Sequence, residues 1–250
     1  MPMINFEFAI EQIPEVLKGV PITLAIAVVA MVFGLIFGLL IALCRIYRVP
    51  ILNRLFIIYI SFIRGTPLLV QLYVFFYGVP VLLEKMNQSF GTAYNADHIS
   101  PLLYAFIAFT INVSAYQAEI MRASLNAVQI GQMEAAHSVG MTTFQALKRI
   151  VLPQAFLVAL PNLGNTFIGL IKATSLAFAV KVVEVMALAK IIANDGYHFL
   201  EMYLVAALIY WLICWLLEVL FAYIEAKMRN KEIKQKKMNT TISKDVPLRV

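Results

Sequence analysis

Residues 20–43 run for 24 positions without a charged side chain. As a helix rising about 1.5 Å per residue, that stretch is longer than the ~30 Å hydrocarbon core of a bilayer, so it crosses once with some tilt. Comparable apolar runs recur as far as residue 225, and no polar block between them is large enough to fold separately. Composition agrees: 62% of the 250 residues are hydrophobic and 14% charged, against about 45–50% and about 25% in soluble domains. The expectation is an all-α membrane protein with about five transmembrane helices, divided into a transmembrane domain at 1–226 and a basic tail at 227–250.

A second apolar stretch, 55–83, is interrupted by Arg64, Gly65, Thr66 and Pro67. A charge beside a proline is costly in mid-bilayer, which places 51–63 as an interfacial helix and starts the second span near Pro67. A polar loop is expected at 84–100 and a third span at 101–120. A fourth span starts at Pro153 and ends near Ile171, followed by a mixed, partly inserted segment to Asp195. The fifth covers 199–223. Gly34 and Gly38 form a GxxxG pair in the first span, where another helix could approach closely.

The basic residues orient the chain. Arg45, Arg48, Arg54, Arg122, Lys148, Arg149 and the tail lysines fall on one set of connections. Glu7, Glu11, Glu15, Glu84, Asp97, Asp195 and Glu201 fall on the other. The positive-inside rule then puts Met1 outside and Val250 in the cytoplasm, a parity that five spans satisfy. The segment 1–19 lacks a basic start and does not read as a cleavable signal peptide. No basic face interleaves with aromatics, so the net charge of +6 does not point to nucleic acid. Cys44 and Cys214 lie in apolar runs and fit neither a disulfide framework nor a metal site.

The cytoplasmic stretch 121–150 is far more polar than its neighbours. Around 132–139 it reads as a short helix ending at Gly140, which takes a left-handed C′ conformation at little cost. Thr142 and Gln145 fit a capping box for a second short helix, and Pro153 suits the first turn of the next span. Ala135 and Ala136 keep one helix face low, and Glu134 offers a charge to a partner's arginine. These residues fit equally a partner-docking element and a plain helical hairpin packed on its own membrane helices.

The spacing Glu134-Ala135-Ala136, three residues, Gly140, nine residues, then Ile150, Leu152 and Pro153 resembles the loop that defines permease subunits of bacterial ATP-binding-cassette importers. Four further runs resemble the polar amino-acid branch: Arg64-Gly65-Thr66-Pro67-Leu68-Leu69-Val70-Gln71, Ala115-Tyr116-Gln117-Ala118-Glu119-Ile120, Gly131-Gln132, and Lys172-Ala173-Thr174-Ser175-Leu176. The likeness spans about residues 10–225. One departure is Ala173, where many relatives carry an acid, so a role for that acid has no counterpart here. The resemblance implies a type I importer permease fold in a bacterial inner membrane, with Glu134, Ala135, Ala136, Gly140, Leu152 and Pro153 coupling to a separate ATPase. It also implies a second permease subunit, identical or related, and an extracellular or periplasmic solute-binding protein. The overall likeness leans towards cystine or a related sulfur amino acid.

No GxxxxGK[ST] loop, GxSxG elbow or HExxH pair occurs, so no enzyme activity and no cofactor are expected in this chain, ATP being bound by the partner. Polar groups in or beside spans are the candidates for a substrate path: Asn162, Asn165, Thr166, Lys172, Thr174, Ser175 and Glu184. They could equally glue helices together or, for Lys172, snorkel to the interface. Glu119 reads as a brace for the coupling loop. The alternative is a secondary transporter or channel, for which an internal inverted repeat is expected and none is visible.

Overall fold

The computed structural model describes the backbone of residues 5–93, 95 and 98–245 and the side chains through Met228. Met1, Asp97 and Val250, used above as markers of sidedness, lie outside the described residues, as do the side chains of the tail lysines beyond Lys227. The described residues fold as helices: α1 Phe6–Leu17, α2 Val20–Ile46, α3 Leu52–Gly65, α4 Leu68–Phe90, α5 Pro101–Ala127, α6 Ile130–Ser138, α7 Thr143–Ala146, α8 Leu152–Ala173, α9 Val185–Asn194 and α10 Phe199–Asp245.

Four helical stretches are long and apolar enough to cross a bilayer: Val20–Ile46, Leu68–Phe90, Thr143–Val180 and Phe199–Met228. The expected third span, α5, is about 40 Å long at 1.5 Å per residue but is not among these. The reason is its position. It is encased by α2, α3, α4 and α8, so it buries Thr110, Ser114, Gln117 and Ser124 instead of presenting an apolar surface to lipid. The apolar exterior is carried by neighbours such as α2, whose Val32, Phe33, Ile36, Phe37 and Leu40 stay about half exposed. Such a surface suits hydrocarbon and not water.

The largest interhelical interface joins α2 to α5, and the GxxxG pair makes it possible. A Cβ on Gly34 would lie 2.4 Å from Val113 Cγ1, and one on Gly38 would lie 2.9 Å from the backbone nitrogen of Ala118. Backbone-close packing of this kind is what small residues allow between membrane helices.

Several boundaries differ from expectation. The helix α4 continues to Phe90 and ends on Gly91 at φ +64°, so the expected loop at 84–100 starts later. The amphipathic α1 was not foreseen; it packs Val16 on α9 and α10. The expected interfacial helix is α3, but it packs into the bundle: Tyr59 donates its hydroxyl to Ile111 O at 2.7 Å, near the middle of α5. The second short helix, α7, is not separate from the fourth span; it passes through a π-helical turn, Leu147–Val151, straight into α8. The mixed segment after Ile171 resolves into a 3₁₀ helix, Thr174–Val180, and α9. Finally, α10 runs unbroken past 226 to Asp245, so the basic tail begins as a continuation of the last membrane helix.

Candidate functional site

Two regions carry the residues singled out in the sequence: the turn around α6 and a cleft between α3, α5 and α8.

The helix α6 ends in a Schellman motif. Met141 N donates to Ala136 O at 3.1 Å and Gly140 N to His137 O at 3.0 Å, with Gly140 at φ +81°, the conformation for which glycine carries least cost. Thr142 then opens α7 with a complete capping box: its hydroxyl accepts from Gln145 N at 3.3 Å, and Gln145 Oε1 accepts from Thr142 N at 3.0 Å. The direction of the chain from α6 into α8 is thereby set by local hydrogen bonds.

On α6 the two alanines differ in burial. Ala136 is buried against its own chain, whereas Glu134 and Ala135 are exposed, so a single alanine, not a pair, keeps the outer face low. Sequence reasoning missed the apolar residues around them: Ile130, Val139 and Phe144 are 79%, 75% and 69% exposed. Beneath, Met133, Leu147 and Leu152 pack on Leu125, Val151 and Ala155, and Pro153 lies exposed in the first turn of α8.

The cleft encloses about 500 Å³ and is open on one side. It forms where the chain breaks between α3 and α4. Thr66 is extended, as a residue before proline prefers, and Pro67 starts a new helix. The carbonyls freed by the break are capped from within: Gln71 Nε2 donates to Ile63 O at 2.9 Å and Thr66 O at 3.2 Å, and also to the Thr66 hydroxyl at 2.8 Å, while its Oε1 accepts from Asn112 Nδ2 at 3.0 Å. Irregular backbone within a membrane bundle is tolerated where the protein itself satisfies it or a cavity borders it.

Arg64, Asn112, Tyr116, Glu119, Thr166 and Ala173 line this cleft. Three runs far apart in sequence thus meet there. The Arg64 guanidinium lies 5.4 Å from the centre of the Tyr116 ring, a cation–π geometry. Glu119 joins Arg45 at the end of α2 through Oε1 and Arg122 through Oε2, the latter at 2.7 Å. It fastens α2 to α5 as much as it anchors the start of the 121–150 stretch.

Of the seven polar residues proposed for a path, Thr166 lines the cleft, with its hydroxyl donating to Asn162 O at 2.8 Å. Asn162, Asn165 and Lys172 are exposed elsewhere on α8. Thr174 is fully buried and donates to Ile171 O at 2.7 Å, and Ser175 donates to Lys172 O at 2.8 Å. Glu184 is also fully buried: its carboxylate caps α9, accepting from Met186 N and Ala187 N at 2.9 Å each, and takes a third bond from Tyr210 on α10. The described residues contain no cluster of His, Cys, Asp or Glu able to hold a metal ion.

A helical bundle with long apolar helices, a cleft at the break between α3 and α4 lined by charged, polar and apolar residues, and a short helix at one end fits a membrane permease. Residues 34–230 match the family model described as the binding-protein-dependent transport system inner membrane component. The chain belongs to that family, and it is an ABC permease of the amino-acid type. It is 43% identical over 91% of its length, and 97% of the relative's, to "Probable amino-acid permease protein YxeN" of Bacillus subtilis (strain 168). It is 42% identical over 86% of its length to the L-cystine transport system permease protein TcyB of the same organism, covering 87% of that protein. Among solved structures, an amino acid ABC transporter crystallised with histidines superposes with a TM-score of 0.75 at 32% identity, over 90% of this chain and 99% of that one.

Proposed function

We propose that this chain is the membrane subunit of an ATP-driven importer for a polar amino acid, forming the path and coupling it to a separate ATPase. The observation that carries the reading is the outer face of α6. Ile130, Glu134 and Val139, with Phe144 beside them, are exposed on a short helix whose ends are fixed by backbone hydrogen bonds and whose exit leads into α8. A helix of nine residues is marginal alone and gains stability by docking. In this reading Glu134 and Ala135 meet the ATPase, Ala136 and Gly140 fix the helix, and Leu152 and Pro153 transmit its displacement to α8. Rocking of the spans then switches access from one side to the other.

The cleft with Thr166 belongs to the path, while Asn162, Asn165 and Lys172 lie on other faces of α8 and Thr174, Ser175 and Glu184 serve local hydrogen bonds. A second permease subunit closes the path, and a binding protein delivers substrate from outside. ATP binds the partner and no cofactor binds here. Arg45, Arg122, Lys148 and Arg149 gather at the α6 end, which supports a cytoplasmic C-terminus and an outward N-terminus. The likeness to a cystine permease favours cystine or a related sulfur amino acid. Proteoliposomes containing this chain, its ATPase and binding protein test the reading. Uptake is expected to need ATP and the ATPase; uptake by the chain without either overturns it.

A further inference from the structure

We infer that the cleft selects its ligand by charge: Arg64 holds the α-carboxylate, and amino acids with cationic side chains are refused. The inference rests on reading the chain as an amino-acid permease and adds the class of side chain.

Arg64 is exposed and lines the cleft over Tyr116, and among the described residues no carboxylate pairs with it. The acid that shares the cleft, Glu119, is engaged on both oxygens, with Arg45 on Oε1 and Arg122 on Oε2. Two cations already balance the one acid, so the Arg64 charge is left for a ligand. In a cleft walled by protein an unbalanced cation attracts a carboxylate and repels a second cation more strongly than in water. The planar guanidinium matches a carboxylate in geometry as well.

The opposite group of the ligand has its own partner. Because Gln71 spends Nε2 on the α3–α4 break, its Oε1 must face Asn112, and Asn112 must answer with Nδ2. That fixes the amide and leaves Asn112 Oδ1 without a described partner, an acceptor suited to an α-ammonium. From α8 the cleft receives Thr166, Gly169 and Ala173, none of them charged. The ligand's side chain therefore meets a neutral wall and, beyond it, a net positive field. A neutral or acidic amino acid fits; arginine and lysine do not.

The test is equilibrium binding of radiolabelled glutamine, cystine, glutamate, arginine and glutamine α-amide to the full chain in lipid nanodiscs, with no binding protein present. Glutamine, cystine or glutamate is expected to bind, with arginine and the α-amide at least about tenfold weaker. Arg64→Gln should weaken the favoured ligands about ten- to a hundredfold, the usual worth of a charge-assisted hydrogen bond, and reduce the discrimination against the α-amide. Arg64→Lys, which keeps the charge, should keep the discrimination against arginine and thereby separates a charge effect from misfolding. Arginine binding as tightly as glutamine, no binding of any probe, or a monodisperse Arg64→Gln chain with unchanged affinities overturns the inference. Uptake of all these amino acids failing in the complete transporter overturns the permease reading instead, since that assay passes through the ATPase and binding protein.

Discussion

The hydroxyl of Tyr210 on α10 donates to the carboxylate of Glu184 at 2.6 Å, across 26 residues of sequence and inside a fully buried cap. Glu184 therefore locks α9 to the last membrane helix. Tyr210→Phe removes one hydrogen bond and should cost about 1–2 kcal/mol. Glu184→Ala strips the cap and takes the carboxylate acceptor from the Tyr210 hydroxyl, which then has only the Thr23 and Thr174 hydroxyls beside it, so it should lower the melting temperature of the detergent-purified chain further. Uptake per folded molecule should change little in either. A Glu184→Ala chain that melts normally but transports poorly would place this carboxylate in the path after all.

At Gly34 the predicted defect is steric and repairable. A methyl group there meets Val113 Cγ1 at 2.4 Å, and forced overpacking of this kind typically costs about 1–3 kcal/mol. Adding Val113→Ala to Gly34→Ala should recover most of the loss in a double-mutant cycle. At Gly38 the obstacle is the backbone of Ala118, so no side-chain truncation should rescue Gly38→Ala.

Neutralising Glu119 should expose how the α6 end of the bundle is held. Glu119→Gln leaves Arg45 and Arg122 half-buried without their shared acid, a loss on the order of 2–3 kcal/mol once solvent screening is allowed for. Arg45→Ala with Glu119→Ala should destabilise less than the two single changes summed. Additive melting shifts would mean the pair is incidental.

The turn around α6 should fail in two distinguishable ways. Gly140 at φ +81° resists a β-branched residue by about 1–2 kcal/mol, so Gly140→Val should misdirect α6 and weaken co-purification with the ATPase. Glu134→Ala removes an exposed charge and leaves the fold intact; the complex should assemble while uptake per ATP hydrolysed falls. Both variants assembling and importing normally would reduce the stretch to an ordinary hairpin.

Much of this was legible in the chain because its signals are local. Apolar length marked α2, α4, α8 and α10, the Gly34–Gly38 pair marked the tight crossing, and Thr142 with Gln145 spelled the capping box that forms. What escaped depends on partners distant in sequence. Arg64 reads as an interfacial charge until Tyr116 and the Gln71 brace are brought beside it. Glu184 reads as a pore acid because glutamate is not among the favoured N-cap residues, and its third partner lies on another helix. Ala135 and Ala136 read as one surface because a short helix does not announce which face its own bundle takes. The lysines after 226 read as a separate basic tail, yet Lys and Glu are also good helix formers, and α10 continues through them.

The π turn at Leu147–Val151 has a rotational consequence. A π turn holds one residue more than the α-helical turn it replaces, and each residue of an α-helix advances about 100° around the axis. Both turns complete one revolution, so the π turn takes up a residue that in a plain α-helix would carry α7, and α6 with it, about 100° further around the axis of α8. Drawing the segment into a plain α-helix with no residue removed would therefore point Glu134, Ile130 and Val139 to a different bearing while every capping bond stayed intact. The extra residue is absorbed in place, and the bearing of α6 relative to the cleft is kept.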